Sequence, residues 1–417
     1  MQEDQPNFKV TDRRLFNADG SPRDLPPEEK PEAKVETAQA AAAPAPAPET
    51  ATPDWPARLR LLRDYCARNS LDAFVVSTPH NLTYLCGFRG TAGLLVSTPR
   101  GEHLIVDGRY QTAATEILRA NRLAGIDVER VERRYDLALG ALLGRLKVGR
   151  VAFEAEHVTV ATLGGWERSA GNVMWQPTER IVEGWRAIKD DFEIDVLRRG
   201  GRTLSSVASE LSNWIRPGRT EADVARDIDA ALDRAGFSAP AFPTIVASGP
   251  NSAQPHARPT DRRLERGDLV LLDFGGILDG YCVDLTRMAA LGQVGSRAAS
   301  LFDAVSDAQA AAIAAVRSGI PAAQVDTAAR QVLEARGLGD AFLHATGHGL
   351  GLDVHEAPRI SRAESGSTDV LEARMVCTVE PGAYLDGFGG VRLEDDVLVT
   401  AEGCEVLTDA PRDLLVV

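Results

Sequence analysis

Three of the seven histidines in this 417-residue chain lie within one glycine-rich stretch of thirteen residues, HATGHGLGLDVHE. They are His344, His348 and His355, separated by four and seven residues. Imidazole is the commonest metal ligand among side chains, and it also exchanges protons near neutral pH. Glycine lets a backbone or a bound peptide approach closely. The stretch therefore predicts a site that combines metal binding with substrate contact.

Two other stretches place carboxylates in otherwise apolar segments. In GDLVLLDFGGILDGYCVDLTR, Asp273 and Asp284 are 11 residues apart. In RMVCTVEPGAYLDGFGGVRLEDDVLVT, Glu380 and Glu394 are 14 residues apart. Each stretch has the pattern of a strand, a glycine-rich turn and a second strand, so we expect all four acids on strands. Because acidic side chains are rarely buried without partners, the four predict a common ligand.

The charge of four converging carboxylates favours a site with two metal ions. Such carboxylates repel one another unless they bind protons or cations, and two divalent ions balance their charge. A histidine is the obvious fifth ligand, and this oxygen-rich set suits Mn²⁺, Co²⁺ or Fe²⁺ better than a structural zinc. Arg392 lies two residues before Glu394 and is expected to hold that carboxylate, whereas Asp395 should point to the opposite face.

A repeated helix precedes each of the two acidic stretches. PGRTEADVARDIDAALDRAG, residues 217–236, and SGIPAAQVDTAARQVLEARG, residues 318–337, share glycines and apolar residues at a constant offset of 101. In the first, Thr220 can cap the N-terminus and Gly236 the C-terminus. Together with the two predicted hairpins, the repeat indicates an internal duplication of a helix and two strands.

The first part of the chain divides into a tail and a predicted domain. Residues 1–54 are rich in Ala, Pro and Glu and have almost no large apolar residues, so we expect a disordered tail. Helical and strand patterns alternate over residues 55–180, which predicts a small α/β domain. The glycine-rich residues 81–93 are expected to serve as a turn. His80 lies in no motif and is expected to be a structural or surface residue.

Four stretches resemble the proline-peptidase branch of the creatinase-like, or pita-bread, metallopeptidases, which holds aminopeptidase P and prolidase. They are FPTIVASGPNSAQPHARPTDRRLERGDLVLLDFGGILDGYCVDLTR, HATGHGLGLDVHE, TVEPGAY and GVRLEDDVLVT. The resemblance implies an α+β fold in which a pita-bread catalytic domain with an internal αββ duplication occupies residues 181–417. A smaller α/β creatinase-like N-terminal domain would precede it, over residues 55–180.

The resemblance also implies a metal-binding role for five residues. Two divalent ions would be bound by Asp273, Asp284, His348, Glu380 and Glu394. Mn²⁺ is the favoured ion, with Co²⁺, Fe²⁺ and Zn²⁺ as alternatives. A hydroxide bridging the two ions would be the nucleophile, because two dications lower the pKa of bound water.

Further roles follow from the same resemblance. Glu380 would move the proton of the nucleophile. His256, in NSAQPHARP, would contact the substrate, and His355 would support the scissile carbonyl and its oxyanion. His344 would line the pocket for the residue after the cut. Arg392 matches the arginine beside the bridging glutamate and is counted among the substrate-binding residues.

The predicted activity is hydrolysis of the Xaa-Pro bond at the N-terminus of peptides with proline at the second position. We favour an aminopeptidase P-like enzyme, because YLCGFRGTAGLLV and DGRY resemble the small bacterial type. The alternative is an Xaa-Pro dipeptidase, or prolidase. Methionine aminopeptidase usually lacks a large N-terminal domain, and creatinase lacks the ligands. A non-catalytic binding protein of the same fold is disfavoured because all five ligand positions are present.

Composition disfavours several other classes. A net charge of −14 argues against binding to nucleic acid or to anionic membranes. No run of 18 apolar residues predicts a transmembrane helix, and the N-terminus has no secretory pattern. The five cysteines form no close pairs, so we expect reduced thiols in a cytoplasmic protein. The family resemblance implies a homodimer.

Overall fold

The computed structural model of the chain describes residues 52–365 and 368–417. The predicted tail, residues 1–54, lies outside the described residues except for its last three. The boundaries between the tail and the two domains stay predictions. Among the described residues, no helix is both long enough and apolar enough to cross a membrane.

An amphipathic helix begins the N-terminal region. Asp54 caps it, because its side chain accepts a hydrogen bond from the backbone N–H of Ala57. The helix buries Leu59 and Leu62 in the core of this region. The helices here are α1 Trp55–Arg68, α2 Pro79–Cys86, α3 Gln111–Ala120, α4 Tyr135–Leu146 and α5 Val160–Ser169. The strands are β1 Ala73–Val76, β2 Leu94–Thr98, β3 Gly101–Asp107, β4 Asp127–Val131, β5 Arg150–Glu154 and β6 Met174–Thr178.

The strands β1 to β6 form one mixed sheet in the order β4-β3-β2-β1-β5-β6. β1 pairs antiparallel with β2 and parallel with β5. All of β1 is buried, as expected of a central strand covered on both faces. The turn predicted at residues 81–93 is wrong in its first part, because α2 occupies it. Pro79 opens this helix and Gly87 ends it at φ +77°.

The second region contains the elements that carry the candidate residues. Its helices are α6 Ile181–Ala187, α7 Asp191–Ala208, α8 Leu211–Trp214, α9 Glu221–Arg234, α10 Ser296–Ala315 and α11 Ala322–Ala335. Its strands are β7 Ile245–Ser248, β8 Leu269–Leu278, β9 Tyr281–Ala290, β10 Gly347–Gly349, β11 Glu356–Ile360, β12 Val376–Val379, β13 Gly382–Leu385, β14 Gly389–Arg392, β15 Asp395–Val399, β16 Cys404–Val406 and β17 Leu415–Val416. They form a sheet β17-β9-β8-β7, a sheet β11-β10-β12-β15-β16 and the ribbon β13-β14.

The predicted duplication is visible in two matching helices. α9 and α11 each have 14 residues, and α11 begins 101 residues after α9. Thr220 caps α9 through a capping box with Asp223. Gly218 precedes α9 and Gly319 precedes α11. Both have a positive φ, which would be strained for a residue with a side chain. Each helix precedes strands with candidate carboxylates, as the repeat predicts.

The first predicted hairpin is continuous and consists of β8 and β9, with ten residues each. Asp273 lies opposite Thr286, and Gly275 lies opposite Asp284. Asp273 and Asp284 are therefore diagonal neighbours on one face of the hairpin.

The second predicted hairpin is interrupted at both glutamates. Glu380 lies between β12 and β13, and Glu394 lies between β14 and β15. The prediction that these two acids lie on strands is therefore wrong. The physical reason is that their backbone N–H groups leave the ladder and bond to the carbonyls of Thr346 and Thr286, at 2.8 and 3.3 Å.

The register of this hairpin nevertheless continues through the interruption. Val379 of β12 lies opposite Asp395 of β15, and β13 pairs with β14 in the same register. Glu380 and Glu394 are consequently opposite each other. Residues directly opposite in an antiparallel pair share a face, so both glutamates point to the same side.

The two regions share an apolar core. One cluster of buried residues joins Leu62 and Phe74 of the N-terminal region to Leu197 of α7 and Val283 of β9. A second cluster packs α10 and α11 against β12, β14 and β15. The described residues belong to one compact unit.

Candidate metal centre

The predicted metal ligands come from both hairpins and from β10. Asp284, His348 and Glu394 each place one ligand atom within 4.8 Å of the others. Glu380 joins them, because its Oε1 lies 3.3 Å from His348 Nε2. Asp273 lies beside Asp284 on the same face of its hairpin, and one of its oxygens is held by an arginine. The structure thus brings the five predicted ligands into one region.

Burial makes these carboxylates unfavourable without a cation. Asp273 is 8% exposed, Asp284 5% and Glu394 2%. Asp273 Oδ1 and Asp284 Oδ1 have no hydrogen-bond partner within the part of the chain that the structure describes. A buried carboxylate oxygen without a partner costs free energy, which a bound cation offsets. The donor set, rich in oxygen with one imidazole, fits divalent ions such as Mn²⁺.

Burial and the charges of neighbouring carboxylates shift the pKa values of these acids in the same direction. Burial raises the pKa of Asp284 well above its usual value, and the charges of Glu394 and Asp273 raise it further. Burial is also the main cause of the raised pKa of Glu394, and it raises the pKa of Glu380 to about 7. Doubly charged cations would reverse these shifts, because they favour the ionised carboxylates.

The short strand β10 presents His348 to the carboxylates. Its Nδ1 lies 3.0 Å from the carbonyl oxygen of Gly349, so this nitrogen carries the proton and donates it. Nε2 is left with a free lone pair near Glu380, and burial lowers the pKa of the ring, which keeps it neutral and able to bind metal. A Cβ on Gly347 would lie 2.1 Å from the carbonyl oxygen of Thr378, so the close packing of β10 requires glycine there.

Arg392 connects the two hairpins. Its Nη2 donates to Asp273 Oδ2, and its Nε donates to Thr286 Oγ1 at 3.2 Å. Thr286 Oγ1 donates in turn to Glu394 Oε2 at 2.5 Å. Arg392 therefore reaches Glu394 through a threonine rather than by the direct contact we expected. Sequence reasoning missed Thr286, although its place two residues after Asp284 puts it on the same face of β9.

His344 is tied to this group through Tyr384, which sequence reasoning also missed. Arg392 donates to the Tyr384 hydroxyl at 2.7 Å, so that hydroxyl donates its own proton to His344 Nε2, 2.8 Å away. The other ring nitrogen donates to the carbonyl of Ala345. Burial is the main reason that the pKa of His344 falls to about 4. Both ring nitrogens of His344 are already hydrogen-bonded. A substrate could therefore contact only the carbon atoms or the face of this neutral ring.

The side chains of His355 and His256 are exposed, so a substrate can reach them. The ring centroids of His355 and His348 are 4.3 Å apart in an edge-to-face arrangement. Burial, followed by the charges of His348 and His256, lowers the pKa of His355. The geometry therefore places His355 directly beside the imidazole of His348, a predicted metal ligand.

Buried charged side chains hold the loops that carry His256 and His344. Glu221 is fully buried and accepts hydrogen bonds from both ends of the loop that contains His256, including one of 2.6 Å from Thr260 Oγ1. Arg330 donates to the backbone carbonyl of His344 at 2.6 Å. Both anchors project from the duplicated helices α9 and α11. Sequence reasoning missed them, because a charge on a helix is usually a surface residue.

Two of the candidate histidines line cavities. One of about 510 Å³ contains His355 and lies against the N-terminal region. Another of about 460 Å³ contains His344. The charged residues that line the second cavity are three arginines and one aspartate: Arg330, Arg359, Arg362 and Asp340.

Sequence comparisons agree with this geometry. Residues 195–401 match the profile of metallopeptidase family M24, and residues 58–188 match the Creatinase/Prolidase N-terminal domain. An Xaa-Pro dipeptidase of Pyrococcus furiosus is 31% identical over 368 residues, which cover 86% of this chain and 99% of the relative. The chain belongs to metallopeptidase family M24. The predicted family and its pita-bread fold are confirmed, and membership makes the protein a hydrolase that uses divalent metal ions.

Solved structures of M24 peptidases superpose along most of the chain. An Xaa-Pro dipeptidase from Bacillus anthracis is 31% identical, with a TM-score of 0.83, and the match covers 87% of this chain and 100% of that one. An X-Pro aminopeptidase from Thermotoga maritima is also 31% identical, with a TM-score of 0.77 and coverage of 85% and 100%.

Proposed function

We propose that this protein is an Xaa-Pro dipeptidase, or prolidase, that works with two divalent ions, of which Mn²⁺ is the favoured one. The observation that carries the proposal is the similarity to a named Xaa-Pro dipeptidase over 99% of that relative's length. A solved Xaa-Pro dipeptidase supports it with a TM-score of 0.83. The comparisons thus favour the alternative that sequence reasoning ranked second to aminopeptidase P.

The two ions would be held by the carboxylates of both hairpins and by His348. Arg392 occupies Asp273 Oδ2 and leaves Oδ1 for a metal. Asp284 Oδ1 and the unprotonated His348 Nε2 are equally available. When bound, the ions polarise the peptide carbonyl and lower the pKa of water at the site. The remaining ligands are Glu380 and Glu394.

The chain's own side chains would handle the proton and the developing charge. Glu380, whose Oε1 lies 3.3 Å from His348 Nε2, would accept a proton from the attacking water and pass it to the proline nitrogen. That nitrogen carries no hydrogen and must gain one to leave. His355 and His256 would donate hydrogen bonds to the carbonyl oxygen as it becomes negative.

The cavity at His344 supports dipeptides as the substrate class. Arg330 is paired with Asp326, and Arg362 adds positive charge to the lining of this cavity. Arginine binds carboxylates well because its planar fork matches their geometry. The free carboxylate of proline in a dipeptide would therefore be favoured over a peptide chain that continues.

A comparison of Ala-Pro with Ala-Pro amide tests this proposal, because the amide differs only in the charge at proline. With Mn²⁺-loaded enzyme we expect kcat/KM to be about 100-fold lower for the amide and for Ala-Pro-Ala. Arg362→Gln should reduce the difference in kcat/KM between Ala-Pro and its amide. Arg145→Gln alters an arginine paired with Glu129 in the N-terminal region and should leave that difference unchanged. Equal kcat/KM values for all three substrates would contradict the proposal.

Aminopeptidase P activity is the second candidate, favoured by the similarity to the X-Pro aminopeptidase from Thermotoga maritima. The same assay separates the two functions. An enzyme that removes alanine from Ala-Pro-Ala at least as well as from Ala-Pro has aminopeptidase P specificity.

A further inference from the structure

The segment that carries His355 is held by buried ion pairs that lie outside the metal cluster. We call residues 351–356 the His355 loop; residues 351–355 form irregular bends, and Glu356 begins β11. Two acids flank the histidine within this loop, Asp353 and Glu356. Both carboxylates contact the guanidinium of Arg186, at 2.6 and 2.5 Å.

Arg186 belongs to α6, the helix that follows the N-terminal sheet. Its side chain is 2% exposed, although it carries a full charge. Besides the two acids of the His355 loop, it contacts the N-terminal region, because its Nη1 donates to Asn81 Oδ1 at 2.8 Å. Asn81 is fully buried on α2. Arg186 therefore joins the N-terminal region to the His355 loop.

Neighbouring groups leave this arrangement little freedom. Asn81 donates to two glutamate side chains, at 2.6 Å each. Lys189, which is fully buried, places its Nζ 2.7 Å from Glu356 Oε1, and a Cβ on Gly351 would lie 2.5 Å from that same oxygen. Removing one partner from a buried ion pair leaves an uncompensated charge. Without Arg186, the acids of the loop would have to move.

We propose that Arg186 is a positioning residue for His355. By holding the acids on either side of that histidine, it sets the ring against His348. Through Asn81, the position of the ring depends on the N-terminal region of the same chain. This inference rests on the proposed function, in which His355 acts on the scissile carbonyl. Because the substrate carboxylate would bind in the other cavity, loss of Arg186 lowers kcat and leaves KM nearly unchanged.

A double-mutant cycle on the Mn²⁺-loaded enzyme with Ala-Pro tests this inference. We expect Arg186→Gln to lower kcat by about 10- to 100-fold, as misplacement of a catalytic group does. In a His355→Ala background, the same substitution should change kcat less than about twofold, because the residue that it positions is already gone. Arg198→Gln, which alters an arginine paired with Glu405, should leave kcat unchanged.

Two results would overturn the inference: an equal loss of kcat from Arg186→Gln in both backgrounds, or a change in KM alone. Circular dichroism and urea unfolding show whether the variant is folded. If it is not, His80→Gln replaces it, because His80 Nδ1 contacts Asp353 Oδ1 at 2.5 Å from a side chain that is 48% exposed. That variant should lower kcat about threefold in the wild-type background only; no loss, or an equal loss in both backgrounds, overturns the inference.

The proposed function and this inference can fail separately. If the unmodified enzyme does not hydrolyse Ala-Pro, the proposed function is wrong. If it does, but the effects of Arg186→Gln and His355→Ala multiply, only the positioning role is wrong.

Discussion

Replacing Glu380 by glutamine should remove a defined pH dependence from the stability of the metal-free protein. Burial is the main reason that the pKa of Glu380 rises from its ordinary 4.5 to about 7; the Arg392 charge opposes the shift and the Asp273 charge adds to it. An acid with a raised pKa in the folded state holds its proton more tightly there than in the unfolded state. The contribution of Glu380 to the free energy of unfolding is therefore greatest below pH 4.5. It is lost as the pH rises to about 7.

The size of this loss follows from the shift. A pKa change from 4.5 to about 7 corresponds to about 3 to 4 kcal/mol in the free energy of unfolding, at about 1.4 kcal/mol for each unit of pKa. Glutamine cannot ionise, so Glu380→Gln should not show this loss. His344, whose pKa burial lowers to about 4, changes stability in the opposite sense over much of the same range. The quantity to compare is therefore the difference between the two proteins.

Urea unfolding with a chelator present, followed from about pH 4.5 to about pH 7.5, measures that difference. We expect Glu380→Gln to gain about 3 kcal/mol over the unmodified protein across this range. Added Mn²⁺ should reverse the order, because ions favour an ionised ligand. Parallel stability curves for the two metal-free proteins would show that Glu380 does not cause this pH dependence.

Two further substitutions test the packing and the charge network of the site. Gly347→Ala, whose Cβ would meet the Thr378 carbonyl, should lower the free energy of unfolding in urea by about 2 kcal/mol. Gly144→Ala, in open space on α4, should cause no loss, and equal stabilities would contradict this account. Arg392→Lys cannot reproduce the contacts of a planar guanidinium, so kcat should fall about 10- to 100-fold while the manganese content stays unchanged. An unchanged kcat would show that the arginine does not order the ligands.

Much of the candidate site could be predicted from sequence, because its chemistry constrains individual residues strongly. A carboxylate on an apolar strand, such as Asp273, is conspicuous, since few other reasons place a charge there. Because side chains alternate between the two faces of a strand, Asp395 is predicted to point away from Glu394. In the structure, Asp395 contacts Arg287. The duplicated helix is equally visible, because its glycines and apolar residues recur at one offset.

The remaining features depend on contacts between residues that are far apart in the chain. Thr286 and Arg392 are separated by 106 residues, and Arg186 and Asp353 by 167. The interruption of the second hairpin arises because the N–H of Glu380 bonds to a different segment, which no local pattern reveals. The ligand motifs are shared by dipeptidases and aminopeptidases P, so they could not decide between the two activities.

The central claim is that two divalent ions lie among the five predicted ligands. Crystals grown with Mn²⁺ and measured at the manganese absorption edge test it directly. We expect two anomalous peaks, about 2 Å from the carboxylates of Asp284 and Glu394 or from His348 Nε2. Crystals of Asp284→Ala should keep the fold and lose these peaks. An unmodified protein with no manganese at these side chains, or with the carboxylates turned towards solvent, would contradict the account.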